Sequence, residues 1–558
     1  MPPTAWRRDI IPPMRISRCL LPLFFAPALF AQTDIRVDAA SKQGPFPPVF
    51  AWFGYDEPNY TYTANGKKLL GELAALSEAR VSVRAHHLLV SGDGAGAMKW
   101  GSTNAYTEDA AGKPVYDWTI VDRIFDTYMQ LHVRPFVEVG FMPEALSSQP
   151  EPYARNWPST PEGRGWAQPP KDYAKWAELV RQWVLHAVAR YGKPEVETWQ
   201  WELWNEPDIF YWRGTPEEYD KLYDFTAAAI RRALPTAKVG GPATTDPNSP
   251  QAGAFLRQFL EHCARAGTPL DFISYHAKGA PRMVDGHLRM GLRQNLVNVQ
   301  KGIEIVNQFP RFRNLPIVLS ESDPEGCAAC PLAGHPEVGY RNSTLYPAYT
   351  AVMLGNILKL ADRYHANIEG MLTWAFEFED KQYFEGFRTL ATNGIDKPIL
   401  NLFRMAGLLR GGRLPLTASG AAGLDGILQA GVSGAPDIDG LATRADREMA
   451  VMVWNYHDDG QPAPAAPIRL SVDGLPTAAG RVLVEHYRID GGHSNAYTVW
   501  QQMGSPQKPT PEQYASLEAA GQLQLLRSPE WMPVKDGRLE LAFSLPRQGV
   551  SLVRVSWY

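Results

Sequence analysis

Between about residue 50 and residue 405, short apolar runs alternate with longer stretches whose apolar residues recur at three- and four-residue spacing. Few architectures accept that alternation. The runs Val81–Arg84, Arg134–Val139, Thr198–Leu203, Lys238–Gly241, Phe272–Tyr275, Ile317–Leu319 and Gly370–Trp374 read as strands. Stretches such as Asp172–Tyr191, Pro216–Ala233 and Tyr346–Tyr364 read as the helices between them. The Pro-rich segment Phe46–Trp52 is expected to supply the first strand and complete a set of eight. Apolar strands joined by helices pair in parallel with both faces covered, and eight of them favour a closed (β/α)8 TIM barrel over an open sheet.

After about residue 410 the texture changes to Gly, Ala and Pro turns between short alternating runs, among them Met449–Tyr456, Ile468–Val472, Arg481–Tyr487 and Val550–Trp557. This pattern predicts a β-sandwich, to which Ile35–Asp38 can add a strand. At 558 residues the chain exceeds what one core supports. The expected division is a targeting segment over 1–31, a short piece over 32–49 that joins the sandwich, a barrel over 50–405 and a C-terminal accessory sandwich over 410–558.

Arg15 and Arg18 precede the apolar run Leu20–Ala31, which is too short to span a bilayer. It reads as a secretory signal cleaved near Ala31, and the expected destination is the periplasm or the exterior. An oxidising compartment favours a local disulfide between Cys327 and Cys330, while Cys263 is expected as a buried free thiol. No second Cys or His pair stands at zinc spacing, so neither a metal nor another cofactor is expected. A net charge of -4 provides no basic field for nucleic acid.

The strongest local signal is the strand Trp199-Gln-Trp-Glu-Leu-Trp, which ends abruptly in Asn205-Glu206-Pro207. Proline cannot donate to a sheet ladder, so the strand stops where Asn205 and Glu206 emerge. In a barrel the C-terminal strand ends carry the active site. Glu202, four residues earlier on the same strand face, is expected deeper in the barrel. A second acid, Glu321, follows the apolar run Ile317-Val-Leu-Ser. The separation between positions 206 and 321 suits three βα units of roughly 31 residues plus insertions. Acids ending strands four and seven can face each other across the mouth, as glycoside hydrolysis requires.

Three segments together resemble glycoside hydrolase family 39, which contains β-xylosidases and α-L-iduronidases. They are Phe136–Leu146, the Trp-Asn-Glu-Pro run at 204–207, and Tyr487–Tyr497. The resemblance implies a retaining mechanism with Glu206 as acid/base and Glu321 as nucleophile. Carried over residue by residue, it implies that Asn205 binds the sugar 2-hydroxyl, Arg84 orients the nucleophile and His86 touches the sugar. His87 would point away from the sugar. His276 would contact sugar or nucleophile, and Phe141 and Trp374 would wall the ring. Glu379 and Asp380 are candidate hydroxyl-binding acids.

The substrate implied is an oligosaccharide, with an exo-acting β-xylosidase as the first expectation. An α-L-arabinosidase, an α-L-iduronidase or an exopolysaccharide hydrolase would share the mechanism, and a non-catalytic carbohydrate-binding protein is the alternative from another class. Lys278 departs from the xylosidase pattern after His276-Ala277 and would answer a substrate carboxylate if it faced the pocket. It is read here as a solvated side chain. The His493–Tyr497 segment is a candidate for a loop closing over the barrel mouth.

Overall fold

The computed structural model describes residues 32–154, 164–374, 376–476 and 480–558; the expected secretory signal over 1–31 lies outside the described residues. Eight parallel barrel strands follow in chain order. They are β1 (Trp52–Tyr55), β2 (Ser82–Ala85), β3 (Arg134–Val139), β4 (Gln200–Leu203), β5 (Lys238–Thr244), β6 (Phe272–Lys278), β7 (Ile317–Asp323) and β8 (Ile368–Met371, continuing as Thr373–Trp374). The first piece of β8 pairs with β7 and the second with β1, so the ring closes. A helix follows each strand, and the one after β4 (Pro216–Ala233) opens with a reciprocal capping box between Thr215 and Glu218.

Two expectations about the strands need correction. The first strand begins at Trp52 instead of running through Phe46–Trp52, because Pro47 and Pro48 cannot donate to a ladder. The preceding Gly44–Pro45 pairs with Gly412–Leu414 of the second domain. The strands β5, β6 and β7 also run on past their expected ends at Gly241, Tyr275 and Leu319, to Thr244, Lys278 and Asp323. The residues gained at β6 and β7 include His276, Lys278, Glu321 and Asp323, all buried. Their polar groups bond one another inside the rim, so the ladder continues where hydropathy predicts a loop.

Within the ring, Trp52, Phe136, Phe272, Val318 and Leu372 form an apolar plug, with Trp52 edge-on to Phe136 at 5.4 Å. Polar side chains above this plug therefore sit in a site that is closed underneath. The second domain stacks a four-stranded sheet on a seven-stranded one, over a core that includes Ile35, Leu470, Val482 and Val553. Thr33–Asp38 is the parallel partner of Ala466–Asp473 in the smaller sheet.

Between two strands of the larger sheet the chain makes an excursion through the helices Ala496–Gln502 and Pro511–Gly521. Tyr497 and Trp500 of this excursion pack on Phe384, beyond β8, at 5.3 and 5.1 Å. The His493–Tyr497 segment thus lies against the loop that follows β8. Among the described residues, no helix is long and apolar enough to cross a membrane.

Candidate active site

Arg84, at the end of β2, is fully buried and organises the centre of the barrel. Its Nε donates to Glu202 at 2.5 Å, and its Nη2 donates to Asn205 Oδ1 at 3.2 Å and lies 3.0 Å from Glu138. Its Nη1 reaches Glu321 at 3.4 Å. The register explains this convergence, since Glu138 on β3 lies directly beside Glu202 on β4 and both point inward. A guanidinium, planar and always charged, is suited to joining several carboxylates in one dry layer.

Glu206 sits where β4 breaks off. Trp204 and Glu206 both take left-handed backbone conformations, φ 71° and 44°, which L-residues adopt only when their surroundings fix them. The fixing contacts are hydrogen bonds from Trp204 N to Val139 O (3.2 Å) and from Glu206 N to Ala243 O (2.9 Å). The resulting kink turns the Glu206 carboxyl towards His276, whose Nδ1 is 2.9 Å from Glu206 Oε1. The same nitrogen is 3.8 Å from Glu321 Oε2, and one donor atom from each of Glu206, His276 and Glu321 falls within 4.8 Å of the others.

Each Glu321 oxygen has its own cations. Oε1 faces Arg84 and His86 Nε2, the latter at 3.7 Å, while Oε2 accepts from Lys278 Nζ at 2.6 Å. Burial works to raise the Glu321 carboxyl, but His276, Lys278, His86 and Arg84 together outweigh it. They hold it well below the usual carboxylate range. Burial likewise pulls His86 down, yet Glu138, bonded to its Nδ1, lifts it above the ordinary histidine value. The donor triad has the compactness of a metal site, but Lys278 already supplies positive charge at that spot, so the cluster reads as a carboxylate pair.

Lys278 is the clearest departure from the sequence reading. It is buried (7% exposed), bonded to Glu321 and to Asp323 Oδ2 (2.7 Å), and its backbone N–H donates to Asp246 at 2.7 Å. It is therefore part of the site and not solvated. The strand continuation that carries it also orients it, because residues 276 and 278 share one face of β6.

Trp374 lies at the inner wall, its ring 4.2 Å from His86 and its Nε1 donating to Asp56 at 2.7 Å. Phe141 packs between His86 and His87 at 6.0 and 5.4 Å and edge-on to Trp204 at 5.2 Å. His87, expected to point away along a strand, follows the end of β2 with φ 62° and turns its ring to Phe141 and Trp100. Glu379 accepts from Thr63 Oγ1 (2.5 Å) and Asn65 Nδ2 (3.2 Å) at the start of the helix Ala64–Ala74. Asp380 beside it is exposed. The Cys327–Cys330 disulfide closes a turn beyond β7, and the Cys327 and Cys330 carbonyls both accept from the buried Arg341. Cys263 is a buried free thiol.

The Trp374 ring lies flat only because Gly54 on β1 has no side chain, since a Cβ there would meet the ring at 2.5 Å. Gly54→Ala is expected to destabilise the protein by about 1–3 kcal/mol, as overpacking does. Calorimetry should show a lowered melting temperature, and turnover should fall as the ring is pushed into the site. An unchanged melting temperature would mean that Trp374 has room to move.

Sequence reasoning missed Glu138, Asp323 and Asp56. Glu138 carried a signal, being a lone acid between Val137 and Val139 in a strand otherwise buried on both faces. Asp323 looked like the start of a Pro-Glu-Gly loop, and nothing local marked it as the partner of a lysine on another strand.

The sequence pattern described as glycosyl hydrolases family 39 matches residues 82–528. A β-xylosidase of Geobacillus stearothermophilus is 28% identical over 464 residues, spanning 80% of this chain and 82% of the relative. The α-L-iduronidase of Mus musculus is 25% identical over 581 residues, spanning 95% and 82% respectively. Among solved structures, the GH39 enzyme from Xanthomonas axonopodis pv. citri superposes with a TM-score of 0.76 at 23% identity, covering 96% of this chain and 100% of its own.

Proposed function

The chain belongs to glycosyl hydrolases family 39, and we propose that within this family it is a retaining exo-glycosidase that releases xylose from the ends of xylo-oligosaccharides. One observation carries the retaining part. One carboxylate oxygen of Glu206 and one of Glu321 lie within 4.8 Å of each other, beside His276. Retaining pairs stand about 5–5.5 Å apart, whereas inverting pairs leave about 6.5–9.5 Å for a water molecule. A pair this tight suits direct attack by one carboxylate.

In this reading Glu321, kept ionised by His276, Lys278, His86 and Arg84 around it, attacks the anomeric carbon. Glu206, the more open of the two, gives its proton to the departing oxygen. The ester to Glu321 is then cleaved by a water that Glu206 deprotonates. Asn205 is held by Arg84 beside this pair, where an amide strengthens its bond to the sugar 2-hydroxyl as charge develops.

The β-xylosidase of Geobacillus stearothermophilus, matched over four-fifths of the chain, supports xylose. Lys278 favours a second reading, a uronic acid glycoside. Its ammonium group lies beside the proposed nucleophile, and Arg388, 3.6 Å from Asp323, has two buried guanidinium nitrogens without a hydrogen-bond partner. Action outside the cytoplasm belongs to the same proposal and is supported by the Cys327–Cys330 disulfide.

A panel of nitrophenyl glycosides decides among the sugars. The β-D-xyloside is expected to be turned over at least about tenfold faster than the α-L-arabinoside or α-L-iduronide, a gap of about 1.4 kcal/mol in the barrier. Iduronide turnover without xyloside turnover would install the second reading. NMR of the first product should show the retained anomer, and an inverted one would remove the double displacement. Binding without turnover of any glycoside would leave a carbohydrate-binding protein.

A further inference from the structure

We infer that Asp323 is a positioning residue that keeps Lys278 paired while the charge of Glu321 is consumed, and so sets the balance between the two chemical steps. The inference rests on the double-displacement reading above. Asp323 is wholly buried, and both of its oxygens are engaged: Oδ2 accepts from Lys278 Nζ at 2.7 Å and Oδ1 accepts from the Trp374 backbone N–H at 2.9 Å. It stands two residues beyond Glu321 on β7, so the two carboxylates share one face of the strand and straddle the same ammonium. Arg388 backs Asp323 at 3.6 Å, and burial fixes all four groups in place.

The charge movement gives this arrangement its purpose. In the first step a Glu321 oxygen bonds to the anomeric carbon, the bond from that carbon to the leaving oxygen breaks, and the Glu206 proton passes to that oxygen. Glu321 is then a neutral ester and Glu206 a carboxylate. The negative charge has moved across His276 and away from Lys278, which is nearest to Glu321 and Asp323. A buried ammonium left without a counter-charge is strongly unfavourable. Asp323 supplies that counter-charge throughout. In the resting enzyme it also shares Lys278, which leaves the Glu321 carboxylate less tightly held and a better nucleophile.

Asp323→Asn keeps the shape and the acceptor for Trp374 but removes the charge. In the free enzyme Lys278 then pairs with Glu321 alone, and in the covalent intermediate neither side chain bonded to its ammonium carries a charge. Both effects raise the barrier to glycosylation, whereas deglycosylation, which restores the Glu321 carboxylate, is relieved. The test is rapid-quench kinetics with dinitrophenyl β-D-xyloside, or the iduronide if the wild type does not turn over the xyloside. The expected result is a glycosylation rate at least about tenfold lower, equivalent to one pKa unit of lost interaction. The deglycosylation rate should be unchanged or higher, so the burst of dinitrophenol should vanish.

A purely architectural role would slow both steps alike. The second measurement is the same substitution in a Lys278→Met background, where its effect on glycosylation should largely disappear because it acts through the ammonium. Equal slowing of both steps, or an effect of the same size without Lys278, overturns the inference. Failure of the underlying reading looks different, because a fluoro-sugar inactivator would then trap no ester on Glu321 of the wild type.

Discussion

Glu321→Ala is expected to lower kcat by roughly 10⁴- to 10⁶-fold, the range found when a covalent nucleophile is deleted from a preorganised site. The expectation rests on geometry and electrostatics together. Glu321 lies near the end of the β7 ladder with each oxygen turned to its own cations, and they hold it ionised against burial. In the alanine variant Lys278, Arg84 and His86 remain around an empty space of carboxylate size, which attracts small anions. Azide should therefore restore part of the turnover, with glycosyl azide as product and its anomeric configuration inverted. Glu206→Ala should behave differently. Its loss should be severe for poor leaving groups and slight in the first step for dinitrophenolate, which needs no proton. Azide rescue there should give the retained configuration. Measured turnover of Glu321→Ala close to the wild type, without azide, would remove Glu321 as nucleophile.

What could be read in advance follows from how far each residue's partners lie along the chain. The barrel was legible because apolar runs and helical periods are local patterns, and Glu206 and Glu321 were legible because each follows an apolar strand at once. Arg84 and His86 came from the family resemblance, and their partners did not. Glu202, Glu138 and Arg84 meet only because three strands lie side by side in register, which no local window contains. Lys278 shows the limit most sharply. A lysine after an apolar run reads as solvated on base rates, yet two acids on the neighbouring strand make burial tolerable. Hydropathy ended β6 and β7 early for the same reason, since it registers polarity and not pairing. The partners of Glu379, Thr63 and Asn65, were equally hidden, because they lie on the far side of the chain from Trp374 in sequence.

Arg84→Met should be the most damaging substitution to the fold itself. The guanidinium is the shared counter-charge for Glu138, Glu202 and Glu321 in a layer that water does not reach, and its desolvation is outweighed by those three acids. Methionine fills the volume but leaves Glu202 without its cation, and breaking a buried ion pair from one side costs about 3–5 kcal/mol. A markedly lower melting temperature is expected, with turnover lost even in the folded fraction because Asn205 and Glu321 lose a common anchor. Arg84→Lys keeps the charge but cannot reach Glu202 through Nε and Asn205 through Nη2 at once, so its stability should fall between the two. The sharper test pairs Arg84→Met with Glu202→Leu. Removing the stranded acid should recover a large share of the lost stability, since apolar groups of similar volume can replace a buried ion pair. Activity should stay lost, because Glu321 still lacks the guanidinium. Recovery of turnover along with stability would mean that Arg84 serves the barrel alone; stability without turnover ties the same side chain to both the fold and the chemistry.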